Sequence, residues 1–263
     1  MRIKKWLCAL VMAVSVSQLH APAQQSATKP VSPEQKARGL LDAMVTALGG
    51  QAWLDMQDYE QHGRSSAFYL GQPTGGIVEF WSFHRVPDFD RYEYTKKRDV
   101  IQIYTPKQGY EVTYKGVADL PAVQQQNFLR SRAHSVEIVM RSWLKDPNTL
   151  VLYEGQTMVE RRPADKVTIV TATNDAVTFE INPETHLPLR RTFEWRDPLY
   201  KDKNEEAEEY DDYHVIQGFP TAFAVTRYHN GEMVNQRFLY DVKYNTGISA
   251  TMFDPAKVPP IKH

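Results

Sequence analysis

The sequence predicts a mainly β protein with some α: an incomplete, half-open antiparallel β-barrel of about 11 strands covered by two or three helices. Three observations point there. Between Tyr59 and Tyr244, runs of β-branched and aromatic residues recur at short spacings, separated by Gly, Asn, Asp and Pro turns instead of crossover helices. Only two long stretches carry helical periodicity, one before the strands and one in their middle. An eight-stranded barrel fills itself with its own side chains, whereas a larger one leaves an interior for a helix, water or a guest. Aromatic residues at 11 % supply the lining.

Taken in order, residues 1–23 read as an export signal. Arg2, Lys4 and Lys5 precede the apolar run Trp6–Val16, and Ala21-Pro22-Ala23 offers a small-residue cleavage site, with the cut after Ala23 favoured over one after Ala21. The run is too short to span a bilayer. The one cysteine, Cys8, lies inside that run and not at its end, so the mature chain is predicted to carry no thiol, disulfide or lipid anchor. The expected location is the periplasm, with the medium as the alternative.

Cleavage removes three of the 31 basic residues and no acid, leaving 28 against 32 and a net charge of −4. That balance argues against nucleic acid or an anionic membrane as the main partner. Residues 24–31 are polar enough to be a flexible tether. Residues 32–263 hold no internal repeat or long linker, and are expected to form a single domain.

Ser32, Pro33 and Gln35 make a capping box with proline at the first helical position, and Gly49-Gly50 supplies the stop. Ala37, Leu40, Leu41, Met44 and Leu48 form one apolar stripe on that helix, which must lie on something apolar. A short helical turn is expected around Ala52–Met56, with Trp53 and Leu54 as plugs.

Strands are then expected at about Tyr59–Leu70, Gly76–His84, Phe89–Tyr94, Val100–Thr105 and Tyr110–Tyr114. A second helix, about Pro121–Leu144, has a polar middle that allows a break, and should cover an edge, plug the barrel or form a lid. Strands resume at Leu150–Glu154, Met158–Arg162, Lys166–Thr173, Ala176–Asn182, Leu189–Trp195, Glu206–Ile216, Thr221–Tyr228 and Glu232–Tyr244. The last alternates, with Val234, Phe238, Tyr240, Val242 and Tyr244 expected on a dry face and Asn235, Arg237, Asp241 and Lys243 on a wet one.

Within Ile77–Tyr94, apolar residues occupy both parities, the pattern of a strand wetted on neither face. Pro87 lacks an N–H and forces a turn. Arg85, between Phe83 and Phe89, thus sits at the rim of an aromatic surface. Two readings of it stand: a guanidinium stacked on a ring or paired with a surface acid, or one that fastens a lid through helix-end carbonyls or meets a ligand head group.

Catalytic signatures are missing. The sequence has no G-x-S-x-G elbow, H-E-x-x-H pair, phosphate-binding glycine loop or dinucleotide fingerprint. Its histidines stand on separate elements, so no metal or cofactor is predicted. The acidic run Glu205, Glu206, Glu208, Glu209, Asp211 and Asp212 lacks the glycine and spacing of a calcium loop. It reads as a solvated hairpin balanced by Arg196, Lys201 and Lys203.

A helix ending in ALGG before Trp53, the strand WSFHRVPDF and a closing YDVKYN…MFDP resemble the LolA/LolB-like periplasmic lipoprotein-carrier superfamily, over about Ser32–Pro260. The resemblance implies a helix-covered half-barrel whose apolar cavity accepts acyl chains of a lipoprotein or lipid. It also implies that Arg85 answers to an arginine that holds the lid shut, although here Val86 separates it from Pro87. The expected ligand-binding residues are Trp81, Phe83, Arg85, Tyr92, Ile101, Ile103, Phe179, Phe238 and Tyr240. The protein is expected to be a monomeric, non-enzymatic carrier, with envelope transport proteins as further partners. The alternative is an envelope sensor or scaffold that uses the same shell to bind a protein.

Overall fold

The computed structural model describes residues 32–261; the expected signal peptide and tether lie outside them. Helix α1 (Pro33–Leu48) starts at the predicted capping box: the Gln35 N–H donates to the Ser32 hydroxyl, and the Ser32 N–H to the Gln35 side chain, each at 3.1 Å. Gly49 ends it at φ +126°, a conformation that favours glycine, and α2 (Gly50–Leu54) follows at once.

The strands are β1 (Asp58–Tyr69), β2 (Gln72–Pro73), β3 (Val78–Arg85), β4 (Phe89–Tyr94), β5 (Val100–Tyr104), β6 (Gly109–Thr113) and β7 (Gly116–Asp119). After the helices come β8 (Leu150–Val159), β9 (Arg162–Val170), β10 (Ala176–Ile181), β11 (Pro188–Arg196), β12 (Lys203–Ile216), β13 (Phe219–His229) and β14 (Glu232–Tyr244). All pairings are antiparallel, in the order β7-β6-β5-β4-β3-β1-β14-β13-β12-β11-β10-β9-β8, with β2 beside β1. This is the predicted meander, joined by the pairing of β1 with β14.

The sheet stays open between β7 and β8, and the chain linking those two edges is the helical segment α3 (Ala122–Ala133) and α4 (Val136–Arg141). The expected single helix breaks at His134-Ser135, because the Ser135 hydroxyl accepts from the Ile138 N–H and starts a new helix. A 3₁₀ turn over Trp143–Lys145 ends the segment.

Leu150–Glu154 and Met158-Val159, expected in two strands, belong to one strand with an irregularity between Tyr153 and Gly155, while Glu160-Arg161 turn at positive φ and Arg162 opens β9. Strands β2 and β7 are too short and exposed to announce themselves.

Half of the inner face is solid. The α1 stripe of Ala37, Leu41, Met44 and Leu48 lies in one buried cluster with Val167, Ile169, Val177, Phe179, Ile181 and Phe193 of β9–β11. Each buried methylene there contributes about 0.8 kcal/mol. The outer face of the other half has its own core, where the C-terminal segment brings Phe253, Met252 and Val258 onto Ile101, Ile103 and Val112. No described helix is long and apolar enough to cross a membrane.

Candidate functional site

Beyond the reach of α1, the inner face of β1, β3, β4 and β12–β14 stays uncovered by side chains and encloses a cavity of about 600 Å³ beneath α3 and α4. Leu48, Trp53, Met56, Phe80, Phe128 and Val136 give it apolar walls. Tyr59, Tyr92, Tyr94, Tyr104, Tyr210 and Tyr244 ring it with phenols. Charged groups also line it, among them Glu208, Arg227 and Arg237, so the hollow is amphipathic and not purely greasy.

A register shift decides which side chains enter. His62 faces Asp241 but Gly63 faces Leu239, so β14 carries one extra residue at Tyr240. A bulge of this kind reverses the facing of the side chains beyond it, here as far as Asn235, after which a second shift follows at Val234. Val242 and Tyr244 point inward as expected, but past the bulge Arg237 points inward and Phe238 outward, where Arg64 lies over its ring at 5.3 Å. Gly63 is required at the bulge: a Cβ there would stand 2.3 Å from the Phe238 carbonyl oxygen.

Two charge clusters flank the cavity. In the first, Arg191 stands opposite Glu208 across β11–β12, and Glu208 opposite Arg227 across β12–β13. Arg191, only 1 % exposed, pairs with Glu206 at 3.0 Å and Glu208 at 3.2 Å. Its other terminal nitrogen donates to the carbonyls of Ser131 and His134 at 3.3 Å each, which ties the end of α3 to the sheet. Arg227 donates to Glu208 at 2.9 Å, and the Tyr210 hydroxyl does so at 3.0 Å. Burial opposes the Glu208 charge, but Arg191, Arg227 and Arg237 outweigh it and hold this carboxyl well below the usual range.

The second cluster joins the lid to β3 and β4. His84 meets Asp90 at 3.1 Å, and the Arg132 guanidinium rests against the same imidazole. Glu137 takes Arg132 at 3.2 Å and Arg141 at 3.1 Å. Arg132 also donates to the Pro87 carbonyl at 3.0 Å, and Arg141 to that of Trp53 at 2.8 Å. Burial would raise Glu137, yet the His84 imidazole, 3.7 Å away, and the charges of Arg132 and Arg141 hold it at about 2. Burial would lower His84, but Asp90 and Glu137 raise it above its ordinary value.

Of the nine residues picked from the sequence, Tyr92 lines the cavity. Trp81 and Phe83 take the opposite parity from Phe80 and His84, and lie outside, with Arg98 over both rings and Trp81 stacked on His62 at 4.5 Å. Arg85 shares that outer parity and is exposed. Ile101 and Ile103 sit beneath the C-terminal segment. Phe238 and Tyr240 are turned out by the bulge, Tyr240 being 54 % exposed. Phe179 faces inward but is sealed under α1.

The acidic hairpin is also corrected. Glu206 and Glu208 enter the cavity and Glu209 pairs with Arg190, because alternate residues of β12 face inward. The hidden signals were Gly63 in mid-strand, which marks a bulge, and the parity shared by Glu206, Glu208 and Tyr210. Among the described residues, no group of three His, Cys, Asp or Glu side chains is placed to hold a metal ion.

No family model and no curated protein matches the sequence. Solved structures match its fold. A DUF1329 family protein from Desulfovibrio piger superposes with a TM-score of 0.55 at 12 % identity, over 82 % of this chain and 96 % of that one. A putative outer membrane lipoprotein-sorting protein domain from Vibrio parahaemolyticus gives 0.52 at 9 % identity, over 85 % and 98 %. A LolA superfamily protein from Nitrosomonas europaea gives 0.50 at 10 % identity, over 82 % and 96 %. The chain has the LolA-like fold.

Proposed function

We propose that the protein is an exported, non-enzymatic carrier that holds the acyl chains of a lipid or lipoprotein inside the half-barrel, on the periplasmic route between membranes. The observation that carries this reading is the cavity beneath α3 and α4. Its volume falls in the range of about 300–1,000 Å³ that small-molecule sites occupy, and Leu48, Trp53, Met56, Phe80 and Val136 offer an alkyl chain its apolar walls. Burying a sixteen-carbon chain is worth a gross of about 12 kcal/mol before ordering costs, so a carrier needs a lid that can yield. Polar ties from Arg132 and Arg191 hold α3, whereas Val139 and Met140 anchor α4 in the apolar core, so α3 is the part of the lid that can yield. The LolA-like fold, shared with a lipoprotein-sorting protein domain, supports the same reading.

Native mass spectrometry of the protein purified from a membrane-containing host tests it. Co-purifying acyl lipid is expected, and Val225→Trp, which fills the cavity from β13, should strip it away. A lipid-free wild-type protein that also ignores acyl probes would reject the carrier.

A further inference from the structure

Within the first cluster, three guanidiniums (Arg191, Arg227 and Arg237) face two carboxylates (Glu206 and Glu208). Glu206 and Glu208 are already engaged by Arg191 and Arg227, at 3.0 Å and 2.9 Å. Arg237 is the third guanidinium of this group. Its nearest carboxylate is Glu208 at 4.0 Å, and its guanidinium makes no hydrogen bond among the described residues. The side chain is 28 % exposed and lines the cavity. A half-buried guanidinium that meets its nearest carboxylate only at 4.0 Å keeps its donors free, and an incoming anion would engage them. Its placement is built in, since the bulge at Gly63 turns it inward.

The surroundings suit an anion. Arg237 stands opposite Ser65 on β1 and Val225 on β13. The Ser65 hydroxyl accepts from Asn235 at 2.8 Å, which leaves its own O–H to donate. Arg227 lies two residues along β13 from Val225 on the same face, where its charge offsets Glu208 and leaves Arg237 as the surplus cation.

The cavity also has a direction. From Ser65 to Tyr59 the β1 backbone runs about 20 Å, and at the Tyr59 end α2, three residues before β1, supplies Trp53 with Met56 close behind. One end is cationic and hydroxylic; at the other, Leu48, Trp53 and Met56 form an apolar wall beside the Arg132–Glu137–Arg141 cluster, whose charges are paired with one another.

Resting on the acyl-carrier reading, we propose that the cargo is an anionic amphiphile, whose carboxylate or phosphate is received inside the cavity by Arg237 with Arg227 and Ser65 beside it, its chain running toward Trp53. The head group enters the barrel and is not left at its mouth.

The test is calorimetric binding of palmitate, hexadecyl phosphate and hexadecanol, which share one chain length, to the full-length chain at pH 8. At least one anion is expected to bind about tenfold tighter than the alcohol, the strength of one charge-assisted hydrogen bond. A preference for palmitate alone assigns a carboxylate, and for hexadecyl phosphate alone a phosphate. Arg237→Gln should lower the preferred anion to the level of the alcohol and leave the alcohol unchanged, while Arg237→Lys keeps most of the preference. If Arg237→Gln does not fold, Ser65→Asp places a carboxylate opposite Arg237 and should have the same selective effect. Equal binding of all three ligands, or a preference that survives both Arg237→Gln and Ser65→Asp, overturns this assignment and leaves the carrier standing. Binding of none of them rejects the carrier and the head-group site together.

Discussion

The buried guanidinium of Arg191, on β11, donates to the main-chain carbonyl of His134 at 3.3 Å, at the point where α3 gives way to α4. Helix-end carbonyls lack intrahelical partners, so this one bond both satisfies α3 and ties the lid to the barrel wall. The same side chain neutralises Glu206 and Glu208. Lid and cavity charge thus share a residue.

Arg191→Met should therefore destabilise the protein by about 3–5 kcal/mol in chemical denaturation, the cost of leaving buried carboxylates without their partner, and should speed amide exchange in α3. Arg191→Lys should recover little, because one ammonium cannot span two carbonyls and two carboxylates. Arg85→Ala, at an exposed outer position, should stay within about 0.5 kcal/mol of wild type. The reverse order of effects would return the latch to Arg85, where the resemblance put it.

At Gly63 a methyl group has nowhere to go, since its carbon would meet the Phe238 carbonyl at 2.3 Å. Gly63→Ala should cost about 2 kcal/mol or more by forcing β1 and β14 apart or out of register. Loss of the anion preference in the surviving folded fraction would show that the bulge is what aims Arg237. A variant with wild-type stability would contradict the close approach.

Stability should depend on pH through the cluster at the base of the lid. His84 is raised above its ordinary value of 6.5, so its contribution is complete below that value and is lost as pH rises through the folded one. Glu137 is lowered from 4.5 to about 2, so its contribution is complete above 4.5 and is lost as pH falls toward 2. The cluster therefore stabilises most between about 4.5 and 6.5. Denaturation across pH should show both limbs, and His84→Gln should flatten the alkaline one. An alkaline limb unchanged in His84→Gln would place its cause elsewhere.

What the sequence determined is what short stretches of chain decide for themselves. Ser32, Pro33 and Gln35 start α1 by bonds within one turn, and Asn230-Gly231 folds the last hairpin through positive φ at both positions. The stripe from Ala37 to Leu48 has to find an apolar surface, so α1 and the antiparallel meander were legible. The LolA-like architecture was legible from other local marks, ALGG before Trp53, WSFHRVPDF and the closing YDVKYN…MFDP.

Tertiary structure decided which side of each strand is inside. Trp81 and Phe80 are equally aromatic neighbours, and only the placement of α3 and α4 over one face makes Phe80 cavity wall and Trp81 outer surface. The C-terminal segment around Phe253 could bury Ile101 and Ile103 on the far face, because both faces of that half carry apolar residues. One extra residue at the β1–β14 pairing then turned Phe238 and Tyr240 out and brought Arg237 in. Facing depends on register between strands more than a hundred residues apart and on which surface a distant helix covers, and a period-two pattern is blind to both.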